Sequence, residues 1–174
     1  MKNCIHIYCG DGKGKTTAAA GLTARMAGYG KKVLFVQFFK GGETGEIKLF
    51  ASLPQVQILR SEKQFPFTFQ MNEEQKRELL EVHNGLLRQA LEKCRREELD
   101  LVVLDEVFGA VQESLLDEAL LREFLSEQRN RLEIVMTGRT PPEAYLDQAD
   151  YVTEMTPRKH PYEQGLNARK GVEY

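Results

Sequence analysis

The sequence contains no tryptophan, and its 174 residues include only six prolines and three cysteines. Cys4, Cys9 and Cys94 are an odd set without the paired spacing of a zinc site. Neither a disulfide scaffold nor a metal knuckle is expected, and a reducing cytoplasm is the simplest setting. No apolar run approaches the roughly 20 residues that span a bilayer, so no membrane association is expected. The apolar stretch near the N-terminus, Cys4 to Tyr8, is too short for a signal peptide. Charge of one sign is also missing. Lys and Arg number 24 against 26 Asp and Glu, a formal net charge of −2, which argues against nucleic-acid binding held by bulk positive charge. There is no internal repeat, low-complexity tract or Pro/Ser linker. What is present is 41% apolar and 29% charged residues, enough for one core and a single domain over residues 1–174.

Short apolar runs alternate with longer amphipathic segments, the pattern of an α/β protein whose central sheet is mostly parallel and flanked by helices. The predicted strands are 4–8, 32–38, a weaker 56–59, 101–104, 132–136 and 151–155. An Ala-rich helix is expected from Lys15 to about Tyr29, stopped at Gly30. Asn72 and Gln75 have capping-box spacing, and Leu79, Val82, Leu86, Ala90 and Cys94 follow at helical period, so a long helix is expected to about Glu98. Ser114 with Asp117 is expected to cap a helix carrying Leu116, Leu120 and Phe124. Thr140-Pro141-Pro142-Glu143 is expected to open another, with Thr140 as N-cap and Pro141 in the first position. The last twenty residues are expected to be loop.

The strongest chemical signal is Gly10-Asp11-Gly12-Lys13-Gly14-Lys15-Thr16-Thr17. It follows a strand and opens a helix, which is where a phosphate-binding loop belongs. Small residues let successive N–H groups turn inward on an anion, and the helix N-terminus adds its positive end. In this motif Lys15 reaches the phosphates and the Thr16 hydroxyl ligates Mg²⁺. The first glycine of the usual pattern is Cys9 here, while the Gly14-Lys15-Thr16 core is intact. Such a loop needs an acidic partner at the end of another buried strand. Leu101 to Leu104 delivers Asp105 and Glu106, one or both of which can reach the metal or its waters. A helix cap or an ion pair is the alternative use of these two carboxylates.

These elements define a nucleotide binder and leave the reaction open: adenosyl transfer, phosphoryl transfer to a small metabolite, or an ATP-dependent switch acting on a macromolecule. The motifs in order narrow it. Gly10 to Ala19 is followed by Val36-Gln37-Phe38-Phe39-Lys40-Gly41, Val103-Leu104-Asp105-Glu106, Thr137-Gly138-Arg139, Pro157-Arg158-Lys159-His160 leading to Gly165, and a closing Lys170-Gly171-Val172-Glu173-Tyr174. Over nearly the whole chain this set resembles the P-loop type of ATP:corrinoid adenosyltransferase.

The resemblance implies a RecA-like fold and a homodimer. It implies a reaction in which the Co(I) of a corrinoid (cobalamin, cobinamide or cobyrinic acid a,c-diamide) attacks C5′ of ATP and inorganic triphosphate leaves. A flavoprotein-type reductant is implied as the source of Co(I). ATP is implied to lie reversed in the loop, its α-phosphate near Lys15 and near Mg²⁺ held by Thr16 and Glu106, with Asp105 beside them. Lys15, Thr16 and Glu106 are thus the implied catalytic set, and Gly10 to Thr17 with Arg139 the implied nucleotide site. Arg139 has either ATP or a neighbouring carboxylate as partner. Phe67 and Phe69, in the aromatic stretch Phe65-Pro66-Phe67-Thr68-Phe69, match a segment that lies against the corrin, with Phe69 standing where the family has tryptophan. Core packing is the alternative for this pair. Lys40-Gly41 ends the second strand at the ligand-binding edge of the sheet, and Lys159 and His160 match a tail motif. Cys9 and Cys94 are expected to be structural thiols. Family members often carry an N-terminal extension over the site; here the first strand begins within a few residues of Met1, so either another segment covers the corrinoid, with residues 60–72 the candidate, or the site is more open.

Overall fold

In a computed structural model, residues 3–161 and 165–173 are described. Met1, Lys2 and Tyr174, ends of the segments discussed above, lie outside them, as does the 162–164 stretch between His160 and Gly165. Six strands form one sheet: β1 (Ile5–Cys9), β2 (Val33–Gln37), β3 (Val56–Arg60), β4 (Leu101–Asp105), β5 (Glu133–Thr137) and β6 (Tyr151–Glu154). All pairings are parallel and the order is β3-β2-β4-β5-β1-β6. The fold is therefore α/β with an all-parallel sheet, consistent with the RecA-like fold expected. β2 and β4 are buried throughout because helices cover both faces. β3 is more exposed at one edge, in keeping with its weaker pattern, and β6 is exposed at the other.

The helices are α1 (Lys15–Gly28), α2 (Gly45–Phe50), α3 (Glu73–Arg96), α4 (Val107–Gln112), α5 (Glu118–Gln128) and α6 (Glu143–Leu146). α1 crosses one face over β1, β5, β4 and β2, burying Ala19, Thr23 and Ala27 at helical spacing. It packs there with Phe35, Val103 and Val135. α3 covers the opposite face, where Leu86, Leu87, Ala90, Leu91 and Cys94 join Leu34, Val102 and Leu104. Its capping box forms as expected: the Asn72 side chain accepts from the Gln75 N–H at 2.9 Å, and the Gln75 side chain accepts from the Asn72 N–H at 3.0 Å.

Several expectations are corrected. α5 is capped by Asp117, whose Oδ1 accepts from the Ala119 N–H at 2.9 Å. Ser114 sits upstream in a left-handed turn with φ 55°, and Leu116 reaches the core from before the helix. α6 begins two residues later than expected, with Pro142 rather than Thr140 in the N-cap position. The reason is local: Pro142 disfavours α geometry at Pro141. The short helices α2 and α4 have no counterpart in the expected elements. β1 runs one residue further, taking Cys9 into the ladder beside Glu154.

Candidate active site

Because every strand runs the same way, the loops after β1, β2, β4 and β5 open at one edge of the sheet, where ligands collect in open α/β folds. The loop after β1 is pinned at two points. The Gly10 N–H donates to the Arg139 carbonyl at 2.8 Å and the Gly12 N–H to the Met155 carbonyl at 2.6 Å. Gly10 has φ 92°, which only glycine adopts readily. A Cβ on Gly12 would stand 2.5 Å from the Met155 carbonyl oxygen, so the chain after β6 has a lean loop to pack on. Cys9 occupies a glycine position of the usual motif without disturbance because it still belongs to β1. At the head of α1 the N-cap is Gly14, which has no capping side chain; the first-turn N–H groups and the helix dipole are directed at whatever anion the loop receives. Lys15 Nζ donates to the carbonyls of Gly10 at 2.6 Å and Gly12 at 2.9 Å, folding back across the loop. Partial burial lowers its pKa, opposed by the Glu106 charge.

Asp105, at the end of β4, is fully buried and organises the neighbouring strand ends. Its Oδ1 accepts from Thr16 Oγ1 at 2.9 Å and from Thr137 Oγ1 at 2.8 Å. Its Oδ2 accepts from Gln37 Nε2 at 3.3 Å and from Lys40 Nζ at 3.4 Å. One carboxylate thus joins the ends of β2, β4 and β5 to the first turn of α1. The Thr16 hydroxyl hydrogen is spent on Asp105 and one lone pair faces Lys40 Nζ at 3.5 Å, leaving the other to offer a metal ion. Glu106 follows in the left-handed region, φ 64°, with its N–H donating to Thr137 Oγ1 at 2.8 Å. That turn sends the second carboxylate away from the first. Burial, then the Asp105 charge, push the Glu106 pKa above its ordinary value, against the pull of Lys40, Lys15 and Arg139.

Lys13 to Thr17, Phe39 to Glu46, Gln64, Phe65 and Glu106 line one cavity of about 760 Å³, with Gly171, Val172 and Glu173 from the C-terminal segment. The volume lies within the range of small-molecule sites. Lys15, Thr16, Thr17 and Glu106 are therefore brought together as the sequence suggested. Asp105 lies behind them, buried rather than lining the space. The donors beside the cavity are a hydroxyl and carboxylates, the hard oxygen set that Mg²⁺ prefers. Among the described residues no cluster of three or more His, Cys, Asp or Glu could hold a metal alone. Mg²⁺ is commonly held by one or two carboxylates together with substrate phosphates.

Other expected residues take different places. Arg139 bonds Asp11 at 3.3 Å, the carboxylate option of the two open for it, and both side chains are largely exposed, so the pair contributes little. Phe67 and Phe69 are 72% and 82% exposed and stack on each other with centroids 5.6 Å apart. Core packing is excluded for both. Within 60–72, Gln64 and Phe65 reach the cavity wall. Lys159 and His160 line a second cavity beside Gly12 and Lys13. Cys9 and Cys94 are buried, and burial raises both thiol pKa values, Cys94 to about 11, as expected of inert structural thiols. Gln37 and Thr137 were not among the expected site residues. Both stand in the motifs quoted for the resemblance, with no role assigned to them there; Gln37 had the further signal of being the one polar residue in the buried strand β2, and Thr137 that of ending β5.

The chain is similar over its length to known proteins. The family described as ATP:corrinoid adenosyltransferase BtuR/CobO/CobP matches residues 1–174. A corrinoid adenosyltransferase of Sinorhizobium sp. is 34% identical over 99% of this chain and 81% of its own length. Corrinoid adenosyltransferases of Pseudomonas aeruginosa and Escherichia coli K12 are 32% and 31% identical over 99% of this chain, covering 84% and 86% of theirs.

Proposed function

The chain belongs to the ATP:corrinoid adenosyltransferase family, and from that premise we propose how its own residues carry the reaction. The protein is a transferase that adenosylates corrinoids with ATP in cobalamin biosynthesis; the kinase and switch alternatives give way to this. In our reading the Co(I) lone pair of the corrinoid forms the bond to C5′ of ATP. The bond from C5′ to the α-phosphate oxygen breaks, and its electrons leave on inorganic triphosphate. No proton is transferred, so no general base is needed. ATP lies with its α-phosphate toward Lys15, where the ammonium and the first-turn N–H groups of α1 stabilise the charge growing on the departing oxygen. Gly10, Asp11, Gly12, Lys13, Gly14 and Thr17 complete the phosphate cradle.

Thr16 and Glu106 are the side chains that would hold Mg²⁺, and Asp105 fixes Thr16 from behind. Bound there, the ion supplies charge neutralisation of the triphosphate. The observation that carries this reading is the 2.9 Å bond from Thr16 to Asp105, which ties the phosphate loop to the acidic strand end beside Lys15 and Glu106. Phe67 and Phe69, exposed and stacked, are proposed as the apolar surface that meets the corrin ring. Excluding a lower axial ligand there makes Co(II) easier to reduce. A homodimer, cytoplasmic residence and a flavoprotein-type electron donor complete the proposal. Among the described residues no helix is long and apolar enough to cross a membrane.

Lys15→Ala and Thr16→Ala test the placement. Each removes a half-buried group that faces the cavity, and each should lower turnover at least about a hundredfold, the scale of losing one transition-state charge contact, with a cooperative thermal transition retained. Near-wild-type turnover in either variant would remove the phosphate loop from the reaction.

A further inference from the structure

His83 is a residue no motif singled out. It lies on α3, 1% exposed, with both ring nitrogens engaged. Nε2 is 3.1 Å from the Phe39 backbone nitrogen, whose N–H can only donate, so Nε2 is the acceptor. Nδ1 is 2.8 Å from the Leu115 carbonyl, which can only accept, so Nδ1 carries the hydrogen. The neutral Nδ1–H tautomer is the one form that satisfies both partners. Burial enforces neutrality, lowering the pKa to about 4.

What Nε2 holds is unusual. Phe39 has φ 61°, and the Lys40 N–H donates to the Phe38 carbonyl at 2.7 Å across it. This is a three-residue turn with positive φ at a bulky residue, a conformation that persists only where surroundings enforce it. The imidazole is edge-on to both Phe38 and Phe39, with centroids 5.3 and 4.7 Å away. On the far side of the turn, Arg60 Nη2 donates to the Lys40 carbonyl at 3.1 Å. The turn ends the run of β2 and redirects the chain so that Lys40 Nζ comes to 3.4 Å from Asp105 Oδ2 and 3.5 Å from Thr16 Oγ1.

We propose that His83 is a positioning residue for adenosyl transfer: by accepting the Phe39 N–H while anchored to Leu115, it holds the strained turn that aims Lys40 at Asp105 and Thr16. The inference rests on the reading of Asp105 and Thr16 as the metal-and-phosphate end of the site. Lys40 supplies positive charge there, and His83 touches neither substrate nor metal ligand. Its action is transmitted through one backbone hydrogen bond.

Two variants separate the halves of the imidazole. His83→Gln places an amide oxygen near the position of Nε2 and keeps the acceptor for Phe39. His83→Asn keeps a donor for Leu115 and loses that acceptor. Both lose the ring packing, so both melt lower, and they are compared below both transitions with ATP, Mg²⁺ and pre-reduced corrinoid. The expected result is a kcat within about threefold of wild type for His83→Gln and about tenfold lower for His83→Asn, the effect of one net hydrogen bond. In a Lys40→Ala background, His83→Asn should lower kcat no further. If His83→Asn does not fold, His83→Gln decides alone: kcat near wild type supports the role, and a tenfold loss in the folded variant overturns it. Equal losses in the two variants, or additive losses with Lys40→Ala, also overturn it while leaving the phosphate-loop reading intact. Wild-type kcat in Lys40→Ala alone would remove the lysine from the site and the inference with it.

Discussion

Replacing Asp105 with asparagine changes one oxygen to NH₂ in the fully buried group on which four donors converge. If the remaining oxygen faces Thr16 and Thr137, the amide NH₂ is left against Gln37 Nε2 and Lys40 Nζ, donor against donor. If the amide flips, Gln37 and Lys40 keep an acceptor but the two threonine hydroxyls lose theirs. Neither rotamer satisfies all four. In the first, one amide bond worth about 1 kcal/mol and one charged bond worth about 1.5–3 kcal/mol are lost. The Lys40 side chain is 34% exposed, so solvent screening favours the lower end. The sum is about 2.5–4 kcal/mol, near the range for breaking a buried charge pair. For a chain of this size that is a fall in Tm of roughly 5–15 °C. Differential scanning calorimetry without nucleotide, beside the rate with pre-reduced corrinoid, measures both consequences. The rate should fall about ten- to a hundredfold because Thr16 loses its fixed orientation, the scale seen when groups that orient metal ligands are lost. A Tm within about 1 °C of wild type, with an unchanged rate, would refute the view that Asp105 joins the phosphate loop to the strand ends.

Glu106→Ala should raise the Mg²⁺ concentration for half-maximal rate about tenfold or more, and by more than Asp105→Asn, the scale for losing a metal-binding carboxylate; a superimposable metal titration would transfer the ligand role elsewhere. Only ionised Glu106 attracts the cation, and its pKa is raised from the ordinary 4.5. Wild-type Mg²⁺ affinity should therefore weaken as pH falls through that raised value, beginning above 4.5, and this limb should vanish in Glu106→Ala. Phe67→Ala and Phe69→Ala should slow reactions started from Co(II) corrinoid more than those given Co(I), with Tm unchanged because both rings are exposed. Equal losses in the two assays would remove the pair from the corrin face.

The parallel sheet was legible because runs such as Leu101 to Leu104 are apolar at successive positions, which only a strand covered on both faces requires. The Lys15–Thr16 core and the Asp105-Glu106 pair were legible because their chemistry is local to a strand end. The division of labour between the two carboxylates was not. It depends on the positive φ at Glu106 and on the insertion of β5 between β1 and β4, which brings Thr137 onto Asp105. Thr140 looked like an N-cap because the motif weighs residue types, while the geometry of Pro141-Pro142 decided the boundary. His83 carries no sequence signal: its partners are backbone groups 44 and 32 residues away, and backbone groups leave no trace in side-chain identity.

The central claim is that ATP is cut between C5′ and the α-phosphate oxygen with transfer to cobalt. Product analysis under anaerobic conditions, with ATP, Mg²⁺ and chemically reduced Co(I) corrinoid, tests it most directly. Phosphorus NMR follows the phosphate product while the visible spectrum follows the cobalt–carbon bond. The account predicts adenosylcorrinoid and inorganic triphosphate in equal amounts, both lost in Lys15→Ala. Formation of ADP, or consumption of ATP without adenosylcorrinoid, would contradict it.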